Sequence, residues 1–146
     1  MTQYLIHTLE TAPAASKPVL EKLKACLGTL PNLAAAKSES PQLIDSFVTL
    51  RGLFQASSSF SPAEREMIAL VNAVENGCRY CTAIHSTFAL HAGVTQETVD
   101  TIRAGKSPSD PRTKALTDYA RTMVRERGHI TAADLQSFFK AGFTRA

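Results

Sequence analysis

The sequence predicts an all-α protein of about seven helices, and three observations carry that prediction. Apolar residues recur at helical spacing in one segment after another. Those segments are bracketed by helix-start residues on one side and glycine on the other. No stretch of strict apolar–polar alternation is long enough to make a strand. Alanine is plentiful and β-branched residues are spread thinly, which points the same way.

Taken in order, Ser16 is placed to cap a helix that runs to Leu27, with Val19, Leu20, Leu23 and Leu27 on one face and Gly28 just past its end. Cys26, inside VLEKLKACLG, reads as a small buried apolar residue. Ser40-Pro41 opens a long helix with Leu43, Ile44, Phe47, Leu50 and Phe54 at core spacing. Ser61-Pro62-Ala63-Glu64 joins a capping box to a proline at the first helical position. The helix it starts turns Met67, Leu70, Val71 and Val74 inward and stops at Asn76-Gly77. A central helix then begins around Cys78 and reaches Gly93. Thr95 caps a short helix ending at Gly105, and Asp110-Pro111 opens one that runs to about Arg127. Thr131, with Asp134 three residues on, caps another that ends near Gly142. The closing GFTRA has the look of an entry into further helix, so a chain that ends early, or a disordered terminus, is expected there.

Bulk properties narrow the function. A length of 146 residues predicts one domain, 1–146, large enough to bury a core without staples. The net charge of +3 comes from scattered Lys and Arg, with no run of five like charges and no aromatic-rich basic stripe, which argues against nucleic acid as a partner. The N-terminal segment lacks the charged-then-apolar pattern of a signal peptide, and nothing approaches the ~18 consecutive apolar residues of a membrane span. A soluble, cytoplasmic protein is expected. Three cysteines are an odd count and do not form a disulfide framework.

Two of those cysteines lie in ENGCRYCTAIHS, residues 75–86. On a helix, Cys78, Cys81 and His85 fall within an arc of roughly 60°. Ala89 and Ala92 continue the stripe with side chains small enough for a close helix neighbour. Unpaired N–H groups and the dipole at a helix start favour a thiolate. His85, one turn after Cys81, is spaced to take its proton. Gly77 allows the tight turn into the helix. The arrangement suits a thiol–disulfide couple in which one sulfur attacks and the other resolves. A metal site is the main rival, since Cys-x-x-Cys with His85 and Glu66 offers four ligands. No second cysteine pair accompanies it, however, and a purely structural pair of cysteines also stays open. Thr82 after Cys81 excludes the haem-attachment motif.

Glu66, eleven residues, Cys78-x-x-Cys81, three residues and His85 together resemble the signature of the alkyl hydroperoxidase D-like proteins of the carboxymuconolactone decarboxylase superfamily. The string NGCRYCTAIHS followed by HAGV, and the later RAG, are similar to its peroxidase-related branch. The likeness runs from about Ser40 onward. It implies an all-helical bundle and a thiol-dependent peroxidase acting on organic hydroperoxides in an antioxidant role. By the same likeness Cys81 would attack the peroxide and become a sulfenic acid, and Cys78 would resolve it as a disulfide. His85 and Glu66 would relay protons. Electrons would come from an external dithiol or lipoyl-type reductant, with no bound cofactor and no metal, and the protein would be a homo-oligomer. Tyr80 stands where the best-known members have a histidine, which shortens the relay and brings that donor into question. Three alternatives stand beside the peroxidase: a thiol–disulfide sensor, a metal-binding module, and a decarboxylase-like enzyme. The last acts on a lactone by acid–base chemistry and does without the cysteine pair. His91 reads as a helix-end histidine, and His7 and His129 have no evident partners.

Overall fold

The structure is a computed structural model describing residues 4–56 and 59–145. Among the described residues there are eight α-helices, one short 3-10 turn and no strand. The chain gathers into two compact units, Met1–Ala56 and Ser57–Ala146.

The first unit holds the 3-10 turn Ala14–Ser16 and helices α1 (Lys17–Leu27), α2 (Asn32–Lys37) and α3 (Pro41–Ala56). Leu20 and Ile44 are fully buried with Ala12 and Ala34, and Val19, Leu23, Phe47 and Val48 pack around them. Gly28 ends α1 with φ 72°, the left-handed conformation that glycine reaches at least cost. Ser16 does not cap α1 with its side chain. Its buried hydroxyl donates instead to the Ser38 carbonyl at 2.7 Å.

Three expectations need correcting in this unit. Cys26 is exposed and free, not buried. Six residues past Leu20 puts it about 240° around the helix, on the far side from the core. Along α3, Ile44 and Phe47 face the core, but Leu43, Leu50 and Phe54 are exposed, Leu50 at 67%. A unit of this size has too few helices to cover a stripe that wide. His7 has partners after all: it is buried, with Nε2 at 2.7 Å from Glu39 Oε2 and Nδ1 at 3.4 Å from Thr11 Oγ1.

The second unit holds α4 (Pro62–Glu75), α5 (Arg79–His91), α6 (Gln96–Arg103), α7 (Pro111–Arg125) and α8 (Ala132–Lys140). Helix α4 packs against α5, α6 and α7, and α8 closes on α7. Met67, Leu70 and Val71 of α4 meet Ala89, Val99, Ile102, Leu116, Ala120 and Phe138 in the core. Phe138 stacks on Tyr119 at 4.3 Å and on Phe143 at 4.4 Å between ring centroids. Phe143, from the closing GFTRA, is thus buried. The start signals work as the sequence predicts. Ser61/Glu64 and Thr131/Asp134 form reciprocal capping boxes, and Thr95 and Asp110 cap α6 and α7 with their side chains.

Ion pairs clamp both ends of α4 to α7. Near its start, Arg112 Nη2 lies 2.9 Å from Glu64 Oε1. At its end, Glu75 takes Arg121 Nε at 3.0 Å and Arg125 Nε at 2.6 Å. Burial alone would raise the Glu75 carboxyl, but hydrogen bonds and charge from Arg125 and Arg121 outweigh it and hold it below the ordinary range. The same balance lowers Glu64, through the Ser61 backbone and Arg112, and Asp118, through Lys114 and Ser107. Each group therefore binds a proton more weakly folded than unfolded. The stability they contribute is complete above the unfolded-chain values of about 4 and drains away as pH falls through the folded ones. Urea midpoints should be level between about pH 7 and pH 5.5 and drop below about pH 4. A midpoint that holds steady into stronger acid would contradict this account.

Candidate active site

The site forms where α4 and α5 face each other. Asn76 and Gly77 join them. Gly77 takes φ 63°, and its N–H donates to Val74 O at 3.0 Å while that of Cys78 donates to Ala73 O at 2.9 Å. This turn stops α4 and sends the chain straight into α5. A Cβ at Gly77 would meet nothing within 4 Å, so the backbone angle, not crowding, is what favours glycine there.

Cys78 is the N-cap of α5 and lies just outside the helix proper. Its Sγ accepts the backbone N–H of Cys81 at 3.2 Å. The two sulfurs are joined as a disulfide, with Cα atoms 5.3 Å apart. One turn of helix is therefore enough to close the ring without moving the backbone. The Cys81 N–H is one of the unpaired donors of the first turn, and no acidic residue occupies the turn to oppose a thiolate.

His85 sits one turn beyond Cys81 and pairs across to α4, where Glu66 Oε2 lies 2.8 Å from its Nδ1. Both side chains are mostly covered, with 22% of His85 and 14% of Glu66 exposed. An ionised carboxylate can only accept, so Nδ1 carries the hydrogen and Nε2 keeps its lone pair in the neutral ring. The carboxylate orients the imidazole and supports a positive charge on it, which is what a proton acceptor needs. Phe88 packs edge-on to the ring with centroids 6.2 Å apart and limits its tilt.

The structure thus brings together Cys78 with Cys81, and Glu66 with His85. The two pairs share one face of α5 by helical spacing. Tyr80 points elsewhere on the helix and is 41% exposed. His91 is in the last turn of α5, where the dipole favours a cation. Among the described residues no group of three or more His, Cys, Asp and Glu side chains is gathered as a metal site. No helix there is long and apolar enough to cross a membrane.

Sequence reading missed the polar cluster that holds this unit together. Arg121 is buried and donates to Glu75 and Asp118, each at 3.0 Å, to the Lys106 carbonyl at 3.0 Å and to Ser107 Oγ at 3.3 Å. Its one advance signal is an arginine on the inward side of α7, beside Leu116, Thr117 and Ala120.

An all-helical unit with a cysteine couple at the start of a central helix, and a carboxylate–histidine pair beside it, defines a class of helical thiol proteins. The chain belongs to the carboxymuconolactone decarboxylase family, whose sequence profile matches residues 41–122. No curated protein matches the sequence. Several solved structures share its fold. A peroxidase-related protein from Silicibacter sp. TM1040 superposes with a TM-score of 0.83 at 23% identity, over 99% of this chain and 76% of that one. An alkylhydroperoxidase AhpD core protein, peroxidase-related, from Ralstonia eutropha JMP134 gives 0.85 at 22% identity, over 97% and 76%. The debrominase Bmp8, as a cysteine-to-alanine variant in complex with 2,3,4-tribromopyrrole, gives 0.79 at 18% identity, over 99% and 78%.

Proposed function

We propose that the protein is a thiol-dependent peroxidase that reduces organic hydroperoxides through Cys78 and Cys81. The observation that carries this reading is the Glu66–His85 pair, 2.8 Å apart and mostly covered, on the same helical face as the disulfide. A lone structural disulfide has no use for a proton acceptor one turn away. Lactone decarboxylation, in turn, has no use for the disulfide. In this reading Cys81 attacks, Cys78 resolves, and Glu66 and His85 manage protons; no cofactor is bound and an external dithiol supplies electrons. Homo-oligomerisation is part of the proposal, supported by the exposed Leu50 and Leu53 on α3, as is a cytoplasmic, antioxidant setting. The fold shared with the debrominase Bmp8 makes a brominated pyrrole the competing substrate to run beside a hydroperoxide.

The test is consumption of a small organic hydroperoxide with a dithiol in excess, followed to many turnovers. Turnover of the peroxide, with two thiols lost and regained per cycle, is the expected result. A single oxidation without turnover would mark a sensor instead. Glu66→Gln and His85→Gln are each expected to slow the reaction by about a hundredfold and to move the pH profile to higher pH, because the thiol loses its acceptor. An unchanged profile in both variants would remove the relay from the mechanism.

A further inference from the structure

A second feature lies on the neighbouring face of the same helix. A groove of about 410 Å³ is lined by Val74, Gly77, Arg79, Thr82, Ala83 and Arg103. Gly77 and Arg79, both lining it, are the chain neighbours of Cys78 on either side. Its only charged lining groups are two guanidiniums, one from α5 and one from α6. Among the described residues neither is tied to a carboxylate, whereas Arg112, Arg121 and Arg125 all are. Arg79 is also the first residue of α5, where the helix dipole disfavours a cation. An unpaired cation there gains nothing from the helix dipole or from an ion pair.

We propose that this groove receives the carboxylate of a small thiol that reduces the Cys78–Cys81 disulfide. Two guanidiniums from separate helices suit a planar two-oxygen anion, which each can meet with parallel N–H donors. Their charge also attracts the attacking thiolate itself. With the carboxylate seated, the thiolate attacks Cys78 Sγ, the S–S bond breaks, and Cys81 leaves as a thiolate with the bonding pair. A second thiol then attacks the mixed disulfide and releases Cys78. Two thiols are oxidised to one disulfide, and the protein couple gains two electrons and two protons. This order frees Cys81 first, the sulfur that the peroxidase reading needs. The inference rests on that reading only in requiring that the couple cycles.

The test reduces the intact oxidised protein with 3-mercaptopropionate, neutral 2-mercaptoethanol and cationic cysteamine, compared at equal thiolate concentration and followed by free-thiol count. The anionic thiol is expected to react about tenfold faster than the neutral one, and cysteamine slower than both, with the ratio shrinking as salt is added. In Arg103→Gln the anionic-to-neutral ratio should fall to about threefold, and in Arg79→Gln/Arg103→Gln to about one. Being a ratio, it cancels any general loss of reactivity. Lys140→Gln, which removes the same charge from α8, should leave it unchanged. The proposal is overturned by an anionic preference that survives the double arginine variant, by no preference in the parent protein, or by an equal fall in Lys140→Gln. If none of the three reduces the disulfide while an excess of dithiothreitol does, this proposal falls and the peroxidase reading stands; if the dithiol fails as well, the couple does not cycle and both fall.

Discussion

Cys81→Ser is expected to abolish hydroperoxide consumption, a loss of at least about a thousandfold, because serine at neutral pH offers no comparable nucleophile. In the proposed cycle the Cys81 thiolate takes the outer peroxide oxygen, the O–O bond breaks, and the alkoxide leaves to be protonated. The sulfenic acid so formed condenses with the Cys78 thiol and releases water. Cys78→Ser should therefore behave differently. It should consume about one equivalent and stop, carrying one added oxygen on Cys81 that intact-mass measurement detects. The contrast between the variants is the informative part. The N–H of Cys81 points at Cys78 Sγ, 3.2 Å away, so the helix start favours a thiolate on Cys78 at least as much as on Cys81. If Cys81→Ser is the variant that fires once and Cys78→Ser is dead, the two roles are exchanged. Equal, undiminished rates in both would remove the redox reading altogether.

What the sequence discloses and what it withholds divide by distance along the chain. Capping boxes at Ser61 and Thr131, the side-chain cap at Asp110 and the turn at Gly77 are agreements between residues at most five apart, so they stand in the sequence in plain form. The disulfide pair and His85 fall within eight positions at the start of one helix and are legible for the same reason. Glu66 lies nineteen positions before His85, and helical periodicity alone leaves it one polar residue among several in its first turn. Only its fixed spacing in the family signature singles it out. Burial is read less well, because it depends on what else is present to pack. The α3 stripe has ideal spacing, yet Leu43, Leu50 and Phe54 stay exposed, and α1 turns Cys26 outward although the local string is apolar. The short α2 went unread, its six residues being too few to establish a period. The His7–Glu39 pair and the Arg121 cluster join residues 32 and 46 positions apart, and nothing local announces them.

That cluster sets the second large expectation: Arg121→Ala should cost about 3–5 kcal/mol of stability. Arg121 is the common point of α4, the loop after α6 and α7. It satisfies Glu75, Asp118, Ser107 and the Lys106 carbonyl at once. Deleting it leaves the Glu75 carboxylate, itself only 9% exposed, with Arg125 as its sole remaining cation and opens a void beside Thr117 and Ala120. Arg121→Lys should recover little, because one ammonium cannot reach four partners spread around a planar fork. Arg125→Ala, by contrast, removes a mostly exposed partner and should cost far less than Arg121→Ala. Two of the three tyrosines, Tyr80 and Tyr119, lie in this unit, the third, Tyr4, is already 84% exposed in the folded chain, and there is no Trp. Urea unfolding followed by tyrosine fluorescence therefore reads the unit that carries the site. The cluster also bears on function, because α4 holds Glu66 partway between its two clamps to α7. Loosening the far clamp should let Glu66 and His85 drift apart before the unit unfolds, so in Arg121→Lys peroxide turnover should fall in conditions where the helices remain intact by circular dichroism. Full activity in a destabilised Arg121→Lys variant would mean that the Glu66–His85 contact is fixed by α4 and α5 alone.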